Sequence, residues 1–289
     1  MSSRHGPAQP SPHSIISSHN GAHIDNFILV SIMGVVEGLT EFLPVSSTGH
    51  LIIVGHLLNY TGKHTATFEI VIQFGAILAV IIFYWRRFIG LLTPETIKHQ
   101  ELSGLRGLWL LLLTSLPASL LGLFTYKAIK LHLFNPMNVA MALVIGGAAL
   151  FIVEALPRRE RVTSVDDINS AMALGIGLFQ CLALWPGFSR AGSTIMGAMI
   201  LGADRKTAAE YSFLAAVPIL AAATLYDLYR NWEYLDKDDL SLIALGFVIS
   251  FIAAWGAVKG LIYLLGHMTL RPFAWYRLIL AMAIWLFWS

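Results

Sequence analysis

The chain has 289 residues, of which 56% are hydrophobic and 12% are charged. A soluble domain carries about 25% charged residues, so this composition excludes an ordinary water-soluble protein and indicates a protein embedded in lipid. The formal net charge of +2 also excludes a broad basic surface for binding nucleic acid.

Residues 1–25 differ in composition from the rest of the chain. They are rich in Ser, Pro, His and Gly, and Ile15-Ile16 is their only apolar run. A secretory signal needs a continuous apolar core of about 7–15 residues. We therefore expect residues 1–25 to form a disordered N-terminal tail.

Six segments of the remaining chain are long and apolar enough to predict helices that cross a bilayer, which takes about 20 residues. In chain order they are 67–84, 108–126, 137–156, 208–229, 240–264 and 272–288. Two further apolar regions, 27–58 and 171–201, are interrupted by prolines and polar residues. We expect each of these two regions to form a broken helix.

The two interrupted regions align with each other when the chain is shifted by 143 positions. The matched pairs include Glu37 with Gln180, Ser46 with Ser189, and Gly49 with Gly192. Each interrupted region is followed by three predicted spans. We infer an all-α integral membrane protein of two repeats, 26–156 and 157–289, each a re-entrant broken helical hairpin followed by three transmembrane helices.

Loop charge predicts how the repeats are oriented. Basic residues concentrate in two loops that are separated by two spans and therefore lie on one side of the membrane: Arg86, Arg87, Lys98 and Arg106 in the first, and Arg158, Arg159 and Arg161 in the second. The positive-inside rule makes that side cytoplasmic. Because three spans per repeat is an odd number, the repeats are inverted, both termini lie outside, and the hairpin tips face each other near the midplane.

Glu37 and Glu41 lie in an otherwise apolar stretch and, being four residues apart, share one face of a helix. A carboxylate in hydrocarbon costs about 3 kcal/mol or more, and two together cost more unless a cation or proton lies between them. Both residues are therefore candidate ligands of a divalent metal ion. The alternative is a helix end exposed to lipid headgroups, where glutamates cost little.

The polar run 44–50 follows these glutamates directly. Its proline ends the incoming helix, and a Ser or Thr caps the next helix, whose first N–H groups bind phosphate oxygens well. Ser47 and His50 lie one helical turn apart and supply a nucleophile and a proton carrier. The alternative is a capped helix start with a hydrogen-bonded histidine. The other candidates for phosphate binding in this run are Ser46, Thr48 and Gly49.

The matching run in the second repeat, 186–194, contains Arg190. Its guanidinium stays charged and can hold a phosphate by two hydrogen bonds. At the depth of a hairpin tip it needs an anionic partner, which is either Glu37 or Glu41, or a substrate phosphate. Candidate phosphate-binding residues here are Gly187, Ser189, Ser193 and Thr194. Polar residues expected to support the site from behind, with an interhelical contact as the alternative for each, are Glu69, Gln73, Gln180, Glu210 and Arg277.

The run 36–50, with the sequence VEGLTEFLPVSSTGH, resembles the first signature of the bacterial undecaprenyl-diphosphate phosphatase family, also called the bacitracin-resistance protein. The run 186–190 resembles the second signature, and the run 209–214 is similar to a further stretch of that family. The resemblance extends from about Asn26 to the C-terminus. One departure follows Arg190, where the family usually has Ser-Gly-Ala-Thr and this chain has Ala191-Gly192-Ser193-Thr194.

The resemblance implies hydrolysis of undecaprenyl diphosphate to the monophosphate, which recycles the lipid carrier of cell-wall synthesis and is linked to bacitracin tolerance. It also implies a divalent cation, a location in the inner membrane and an active site that opens toward the periplasm. We hypothesise that Glu37 and Glu41 hold Mg²⁺ or Ca²⁺ and that Arg190 neutralises the phosphoryl group. Ser47 then attacks phosphorus or orients a water, and His50 moves the proton or is itself the nucleophile.

The alternative function is a transporter or flippase for an anionic lipid or solute, because inverted repeats with broken helices are frequent in transporters. The Ser, Thr and His cluster favours the enzyme, because transport does not require it. A purely structural membrane scaffold leaves the buried charges unexplained. The expected partners are the bilayer, a polyprenyl diphosphate lipid and, as one option, a second copy of the chain in a homodimer.

Overall fold

Eleven α-helices account for most of the chain that the computed structural model describes, which is residues 22–60, 63–92, 102–157, 159–231 and 240–288. The helices are α1 (Ala22–Thr40), α2 (Ser47–Leu57), α3 (Lys63–Phe83), α4 (Trp85–Leu92), α5 (Gly104–His132), α6 (Pro136–Ala155), α7 (Ser170–Gln180), α8 (Arg190–Ile200), α9 (Arg205–Asn231), α10 (Leu240–Leu265) and α11 (Arg271–Trp288). Of the predicted N-terminal tail, positions 1–21 lie outside the described residues, and α1 begins at Ala22.

Four of these helices are long and apolar enough to cross a membrane. The qualifying segments are Gly104–Ile129 of α5, Pro136–Ala155 of α6, Arg205–Tyr226 of α9 and Leu240–Leu265 of α10. A fifth span results if α3 and α4 are counted together, although Phe68–Phe83 and Trp85–Leu92 meet at an angle of 80°. The predicted all-helical membrane fold is therefore confirmed, and the chain is a multi-pass membrane protein.

The sixth predicted span, 272–288, forms α11 but is not among these four helices. Arg271 and Arg277 lower the mean hydropathy of α11. The side chain of Arg277 is nevertheless fully buried, so its charge lies inside the protein and does not face lipid. The membrane crossing of α11 stays a prediction.

Both predicted helix breaks are present and have the same backbone geometry. The helices that follow the breaks, α2 at 47–57 and α8 at 190–200, keep the offset of 143 residues at both ends. Ser46 and Ser189, which precede them, have φ angles of 72° and 74°, a region that L-residues rarely adopt. The repeat found in the sequence is therefore repeated in the backbone. The inverted orientation of the two repeats in a membrane stays a prediction.

The packing of the helices follows the same repeat. Hairpin helix α1 packs against α10, the middle span of the second repeat, and α7 packs against α5, the middle span of the first. A Cβ on Gly34 would lie 2.7 Å from the carbonyl oxygen of Gly246, and a Cβ on Gly177 would lie 2.6 Å from that of Thr114. Gly34 and Gly177 occupy equivalent positions, so the absence of a side chain allows the same close helix approach in both repeats.

The two half-helices that follow the breaks, α2 and α8, differ in how deeply they lie in the apolar core. Every residue from Ala191 to Met199 of α8 is buried, and the core cluster around them includes Phe42, Tyr211 and Phe213. In α2 only five of the eleven residues are buried. The second half-helix is therefore a core element, whereas the first has an accessible face.

Candidate active site

The two helix breaks meet at an ion pair between Glu41 and Arg190. One guanidinium nitrogen of Arg190, Nη2, donates to Oε1 of Glu41 at 3.0 Å, although the residues are 149 positions apart. The side chain of Glu41 is 6% exposed and that of Arg190 is 11% exposed, so the pair is shielded from solvent. Of the three anionic partners predicted for Arg190, the structure shows Glu41. This contact brings the two breaks together, which fits the predicted arrangement of the two hairpins.

Ser47 completes the arrangement around Glu41. Its hydroxyl donates to the second carboxylate oxygen, Oε2, at 2.6 Å, so Glu41 joins the hydroxyl to the guanidinium of Arg190. Ser47 is the first residue of α2 and Arg190 the first residue of α8. The positively polarised N-termini of two half-helices therefore meet beside this carboxylate. A hydroxyl held by a carboxylate is the arrangement of an activated oxygen nucleophile.

Two residues around Arg190 were not among the predicted site residues. The guanidinium carbon of Arg190 lies 5.3 Å from the ring centroid of Phe42, and Nη1 donates to the carbonyl oxygen of Ser212 at 3.3 Å. The Ser212 hydroxyl is also hydrogen-bonded to the Thr194 hydroxyl at 2.6 Å. Ser212 lies in the run 209–214 that carried part of the family resemblance, so a sequence signal for it existed. The Nε atom of Arg190 is buried without a partner among the described residues, so one donor of the guanidinium is unused.

Glu37 lies behind Glu41 and is 1% exposed. Its Oε2 atom has no hydrogen-bond partner among the described residues. Glu41, Glu69 and Arg190 are close enough to act electrostatically on its carboxylate. A buried carboxylate oxygen without a partner is unfavourable, so Glu37 is suited to receive a proton or a cation.

The predicted metal ligands can be tested against this arrangement. Within the described part of the chain, no group of three or more His, Cys, Asp and Glu side chains is arranged to hold a metal ion. Glu37 and Glu41 nevertheless provide the carboxylate oxygens that Mg²⁺ and Ca²⁺ prefer, and Mg²⁺ commonly uses one or two carboxylates together with substrate phosphates. The partnerless Oε2 of Glu37 fits a cation that is shared with the substrate. The metal ion itself stays a prediction.

His50 is buried in α2, and both of its ring nitrogens have partners. Nδ1 lies 2.7 Å from the carbonyl oxygen of Ser46, and Nε2 lies 2.7 Å from the hydroxyl of Tyr276 on α11. One helical turn separates His50 from Ser47, as predicted, but these hydrogen bonds lead to Ser46 and Tyr276 and not to Ser47. Tyr276 was not among the predicted site residues, although its neighbour Arg277 was.

Arg277 connects the two breaks through their main chains. Its guanidinium donates to the carbonyl oxygens of Pro44 at 3.4 Å and of Gly187 at 3.2 Å, and further bonds reach Ala142 and Leu143. Pro44 and Gly187 occupy equivalent positions in the two repeats. The buried Arg277 side chain therefore binds the equivalent carbonyl oxygen in each break. Arg277 thus joins the two breaks to each other, and its support of the reaction stays a prediction.

The other predicted phosphate-binding residues mostly stabilise the breaks themselves. The hydroxyls of Ser46 and Ser189 accept from the N–H groups of Gly49 and Gly192 at 3.3 Å and 3.1 Å. The Ser193 hydroxyl donates to the carbonyl oxygen of Ser189 at 2.9 Å, and that of Thr194 lies 3.0 Å from the carbonyl oxygen of Arg190. Thr48 is half-buried in the first turn of α2. These contacts give the hydroxyls a structural task, and their part in phosphate binding stays a prediction.

The remaining supporting residues lie at different distances from the ion pair. Glu69 and Gln73 are half-buried on α3, where Glu69 acts on Glu37. Gln180 is fully buried, and its amide donates to the carbonyl oxygen of Thr114 at 3.1 Å, so it joins α7 to α5. Glu210 belongs to a separate charged group near the start of α9, with Lys206, Arg87, Asp204 and Asp166 as its electrostatic neighbours.

An apolar groove of about 460 Å³ lies between α6 and α11. It is lined by Met137, Ala140, Met141, Val144, Ile145, Leu278, Ala281, Met282 and Trp285. None of the predicted site residues lines this groove. The chemistry-bearing residues therefore lie at the meeting point of the helix breaks and not in this groove.

Comparison with known proteins identifies the family. The family described as bacitracin resistance protein BacA matches residues 30–283. A protein named undecaprenyl-diphosphatase from Maridesulfovibrio salexigens is 59% identical over 259 residues, which cover 90% of this chain and 97% of the relative. Relatives with the same name from Nitratidesulfovibrio vulgaris and Solidesulfovibrio magneticus are 58% and 56% identical, covering 91% and 89% of this chain and 99% and 96% of their own lengths. The chain therefore belongs to the bacitracin resistance protein BacA family.

Proposed function

We propose that this chain is a membrane-embedded phosphatase that hydrolyses undecaprenyl diphosphate to undecaprenyl phosphate and inorganic phosphate. The observation that carries the proposal is the joining of a hydroxyl and a guanidinium by one carboxylate, Ser47–Glu41–Arg190, where two half-helices meet. The relatives named undecaprenyl-diphosphatase, which match over nearly their whole length, support the same substrate. The product returns the lipid carrier to cell-wall synthesis.

The contacts of Ser47 suggest how the terminal phosphate is attacked. Glu41 Oε2 accepts the Ser47 proton, and the Ser47 oxygen forms a bond to the terminal phosphorus while the bond to the bridging oxygen breaks. Undecaprenyl phosphate leaves, and water then hydrolyses the phosphoserine to release inorganic phosphate. In the one-step alternative, Ser47 and Glu41 orient a water that attacks phosphorus directly. Both routes use the same hydrogen bond between Ser47 and Glu41.

Arg190 stabilises the charge on the transferring phosphoryl group. Phosphoryl transfer depends mainly on positioning and on compensation of negative charge, and a guanidinium binds phosphate through two parallel hydrogen bonds. When Glu41 takes the Ser47 proton, its attraction for Arg190 weakens. The guanidinium, with its partnerless Nε, is then available to the phosphate.

A divalent cation belongs to the proposal as a component that Glu37 and Glu41 would hold. When bound, Mg²⁺ or Ca²⁺ would neutralise part of the diphosphate charge through its oxygens. The partnerless oxygen of Glu37 and the second carboxylate beside it support this assignment. Removal of divalent cations is expected to abolish most of the phosphate release.

We further propose that the enzyme lies in the bacterial inner membrane and that its site opens toward the periplasm. The loop charges support this orientation because Arg86, Arg87 and Arg106 are separated by two spans from Arg159 and Arg161. The accessible face of α2 supports entry of substrate from the side of the first hairpin. The predicted homodimer is a separate question, which the mass of the protein in detergent would answer.

The test is phosphate release by purified protein in detergent from a short-chain polyprenyl diphosphate, with and without a chelator. Ser47→Ala is expected to lower the rate by at least about 10³-fold. The control Ser31→Ala removes a hydroxyl that donates to the main chain of α1 and is expected to retain the wild-type rate. If the folded wild-type protein releases no phosphate, the phosphatase proposal is wrong and transport of the phosphorylated lipid becomes the better explanation.

A further inference from the structure

His50 and Tyr276 form a hydrogen-bonded pair that lies outside the contacts of Ser47 and Arg190. The His50 Nε2 atom and the Tyr276 hydroxyl are 2.7 Å apart although the residues are 226 positions apart. The two rings are nearly parallel, at 9°, with centroids 5.4 Å apart. His50 is 8% exposed, whereas Tyr276 is 44% exposed. Tyr276 therefore connects a buried imidazole to a more accessible part of the molecule.

The partners of His50 determine which ring nitrogen carries the proton in the neutral state. Nδ1 faces the carbonyl oxygen of Ser46, which can only accept, so Nδ1 must carry a proton. The Nε2 lone pair of the neutral ring then accepts from the Tyr276 hydroxyl. If His50 is protonated at both nitrogens, the Tyr276 oxygen can instead accept from Nε2. A hydroxyl at this position therefore fits both charge states of His50.

The position of the Tyr276 hydroxyl is fixed by its neighbour in α11. Arg277 is fully buried and donates to the main-chain carbonyls of Pro44 and Gly187 in the two breaks. This anchoring sets the place of α11 relative to the break that precedes α2. The adjacent Tyr276 hydroxyl consequently has a defined place opposite His50.

We propose that Tyr276 is a positioning residue for the reaction. The Ser46 carbonyl keeps the proton on Nδ1 of His50, and Tyr276 keeps Nε2 turned toward α11. A proton taken up at the Tyr276 oxygen can then pass on as the hydroxyl proton moves to Nε2, and His50 does not attack phosphorus. This inference rests on the proposed phosphatase function, and it resolves the choice between proton carrier and nucleophile for His50. A nucleophilic imidazole would need an unoccupied nitrogen lone pair directed at phosphorus, whereas Nδ1 is protonated and Nε2 is held by the hydroxyl.

The test compares Tyr276→Phe with wild type in steady-state phosphate release from a short-chain polyprenyl diphosphate. Tyr276→Phe keeps the ring beside His50 and removes only the hydroxyl. We expect kcat to fall by about tenfold or more while KM stays within about twofold, because acid–base assistance is lost and substrate contacts are retained. The matched control is Tyr263→Phe on α10, where the tyrosine is 70% exposed, and it is expected to match wild type.

A second comparison shows whether Tyr276 acts through His50. In a His50→Ala background, Tyr276→Phe is expected to cause no further loss of kcat, because its partner is already absent. The ¹⁵N spectrum of His50 is expected to show the Nδ1-protonated tautomer in both proteins, because the Ser46 carbonyl is retained, and a changed Nε2 shift in Tyr276→Phe, because the hydrogen bond to the hydroxyl is lost. Both variants are first shown to be folded by their melting temperatures.

Three outcomes would overturn the inference. They are a wild-type kcat in Tyr276→Phe, a loss confined to KM, or an equal fold-loss in the wild-type and His50→Ala backgrounds. A wild-type protein without phosphatase activity would refute the proposed function alone. The Nε2 chemical shift of His50 in wild type and in Tyr276→Phe would then still decide whether the tyrosine holds the ring, and an unchanged shift would contradict it.

Discussion

The two helix breaks have the same backbone geometry but different reactive side chains. In both, a serine with positive φ accepts from the N–H of a glycine three residues later: Ser46 from Gly49 and Ser189 from Gly192. The residues that begin the two half-helices, at equivalent positions, are Ser47 and Arg190. The repeat therefore supplies two half-helix N-termini, and substitution at single positions makes one of them a hydroxyl site and the other a cationic site.

The acidic residues of the first break also have no acidic counterparts in the second. Glu37 corresponds to Gln180 and Glu41 to Leu184, while His50 corresponds to Ser193. His50 and Ser193 nevertheless make the same contact, because each lies within hydrogen-bond distance of the carbonyl oxygen of the capping serine, at 2.7 Å and 2.9 Å. The serine-capped helix start is thus present in both breaks. The acidic side chains lie in the first break and the arginine in the second, so that opposite charges meet. Two acidic breaks would repel each other and could not bind a phosphate.

The largest effect is expected from removing the charge of the second break. Arg190→Gln should lower kcat/KM by about 10³-fold, because one preorganised cationic donor to the transferring phosphate is lost. The substitution also leaves the Glu41 carboxylate buried without its cation, which should destabilise the protein by about 3 kcal/mol. Phosphate release and thermal unfolding in detergent measure the two effects. Arg271→Gln, at an exposed arginine that begins α11, is the control.

The double variant Glu41→Gln/Arg190→Gln separates stability from chemistry. It removes both charges, so the melting temperature should recover toward wild type while phosphate release stays low. Recovery of activity in the double variant would show that the ion pair is structural and that neither charge takes part in phosphoryl transfer.

The next effect concerns the side chain that holds both breaks together. Arg277→Met should lower the free energy of unfolding by about 3 kcal/mol, because the carbonyl oxygens of Pro44 and Gly187 lose their donor. Arg277→Lys retains the charge but presents fewer donors in a different geometry, so an intermediate loss is expected. Thermal unfolding in detergent is the measurement, with Arg271→Met as the control. Equal melting temperatures for Arg277→Met and Arg271→Met would contradict a clamp between the breaks.

A smaller effect is expected from making the second break resemble the first at one position. Gln180→Glu should destabilise the protein by about 2 kcal/mol, because the Gln180 amide donates to the carbonyl oxygen of Thr114 and an ionised carboxylate cannot. The melting temperature measures this loss. The activity of the folded fraction should change little, since Gln180 contacts α5 and not the ion pair. An unchanged melting temperature would show that the second break tolerates an acid at this depth.

The mirror substitution, Glu37→Gln, should act in the opposite direction on stability. It removes a buried carboxylate whose Oε2 has no partner among the described residues, so the melting temperature should rise by a few degrees. Phosphate release and its dependence on added Mg²⁺ should both fall, because an amide is a poorer cation ligand than a carboxylate. A gain in stability with unchanged cation dependence would remove Glu37 from the proposed cation site.

The sequence predicted the features that are energetically unfavourable in lipid and are therefore retained only where they have a function. Charges in apolar segments identified Glu37, Glu41 and Arg190, and the shift of 143 residues predicted that their helix breaks correspond. Once the breaks were equivalent, charge alone predicted an anionic partner for Arg190, with Glu37, Glu41 and a substrate phosphate as the alternatives, and the structure shows Glu41. Prediction from composition and spacing therefore worked where a single physical term dominates.

The features that the sequence did not predict depend on how helices are rotated and bent in packing. The Tyr276 hydroxyl reaches His50 only because α11 presents that face to α2, and the period of α11 alone does not define its partner. The bend of 80° between α3 and α4 follows Phe83-Tyr84 without a proline or glycine to mark it. Arg277 lowered the apparent hydropathy of α11 although its side chain is buried among carbonyl oxygens.

The smallest effect on stability is expected at Gly49 in the first break, and Gly187 in the second break is the comparison. Gly187 has a φ of 97°, and a Cβ there would lie 2.6 Å from the carbonyl oxygen of Val139, so the position is closed to a side chain. Gly49 lies in helical backbone, where the nearest atom to a new Cβ is Cδ1 of Leu143 at 3.4 Å. Gly187→Ala should therefore destabilise the protein by about 1–2 kcal/mol, whereas Gly49→Ala should change its stability by less than about 0.5 kcal/mol.

Phosphate release by the same two variants tests whether the shape of the second break matters for the reaction. The Gly187 carbonyl accepts from Arg277, and Arg190 begins the helix that follows, so a shift of this loop moves the guanidinium away from Glu41. We expect Gly187→Ala to lower kcat/KM by about tenfold and Gly49→Ala to retain most of it. If Gly49→Ala were the more damaging change, the phosphate would depend on close approach to the α2 backbone, and the first break would supply the anion site that we assign to Arg190.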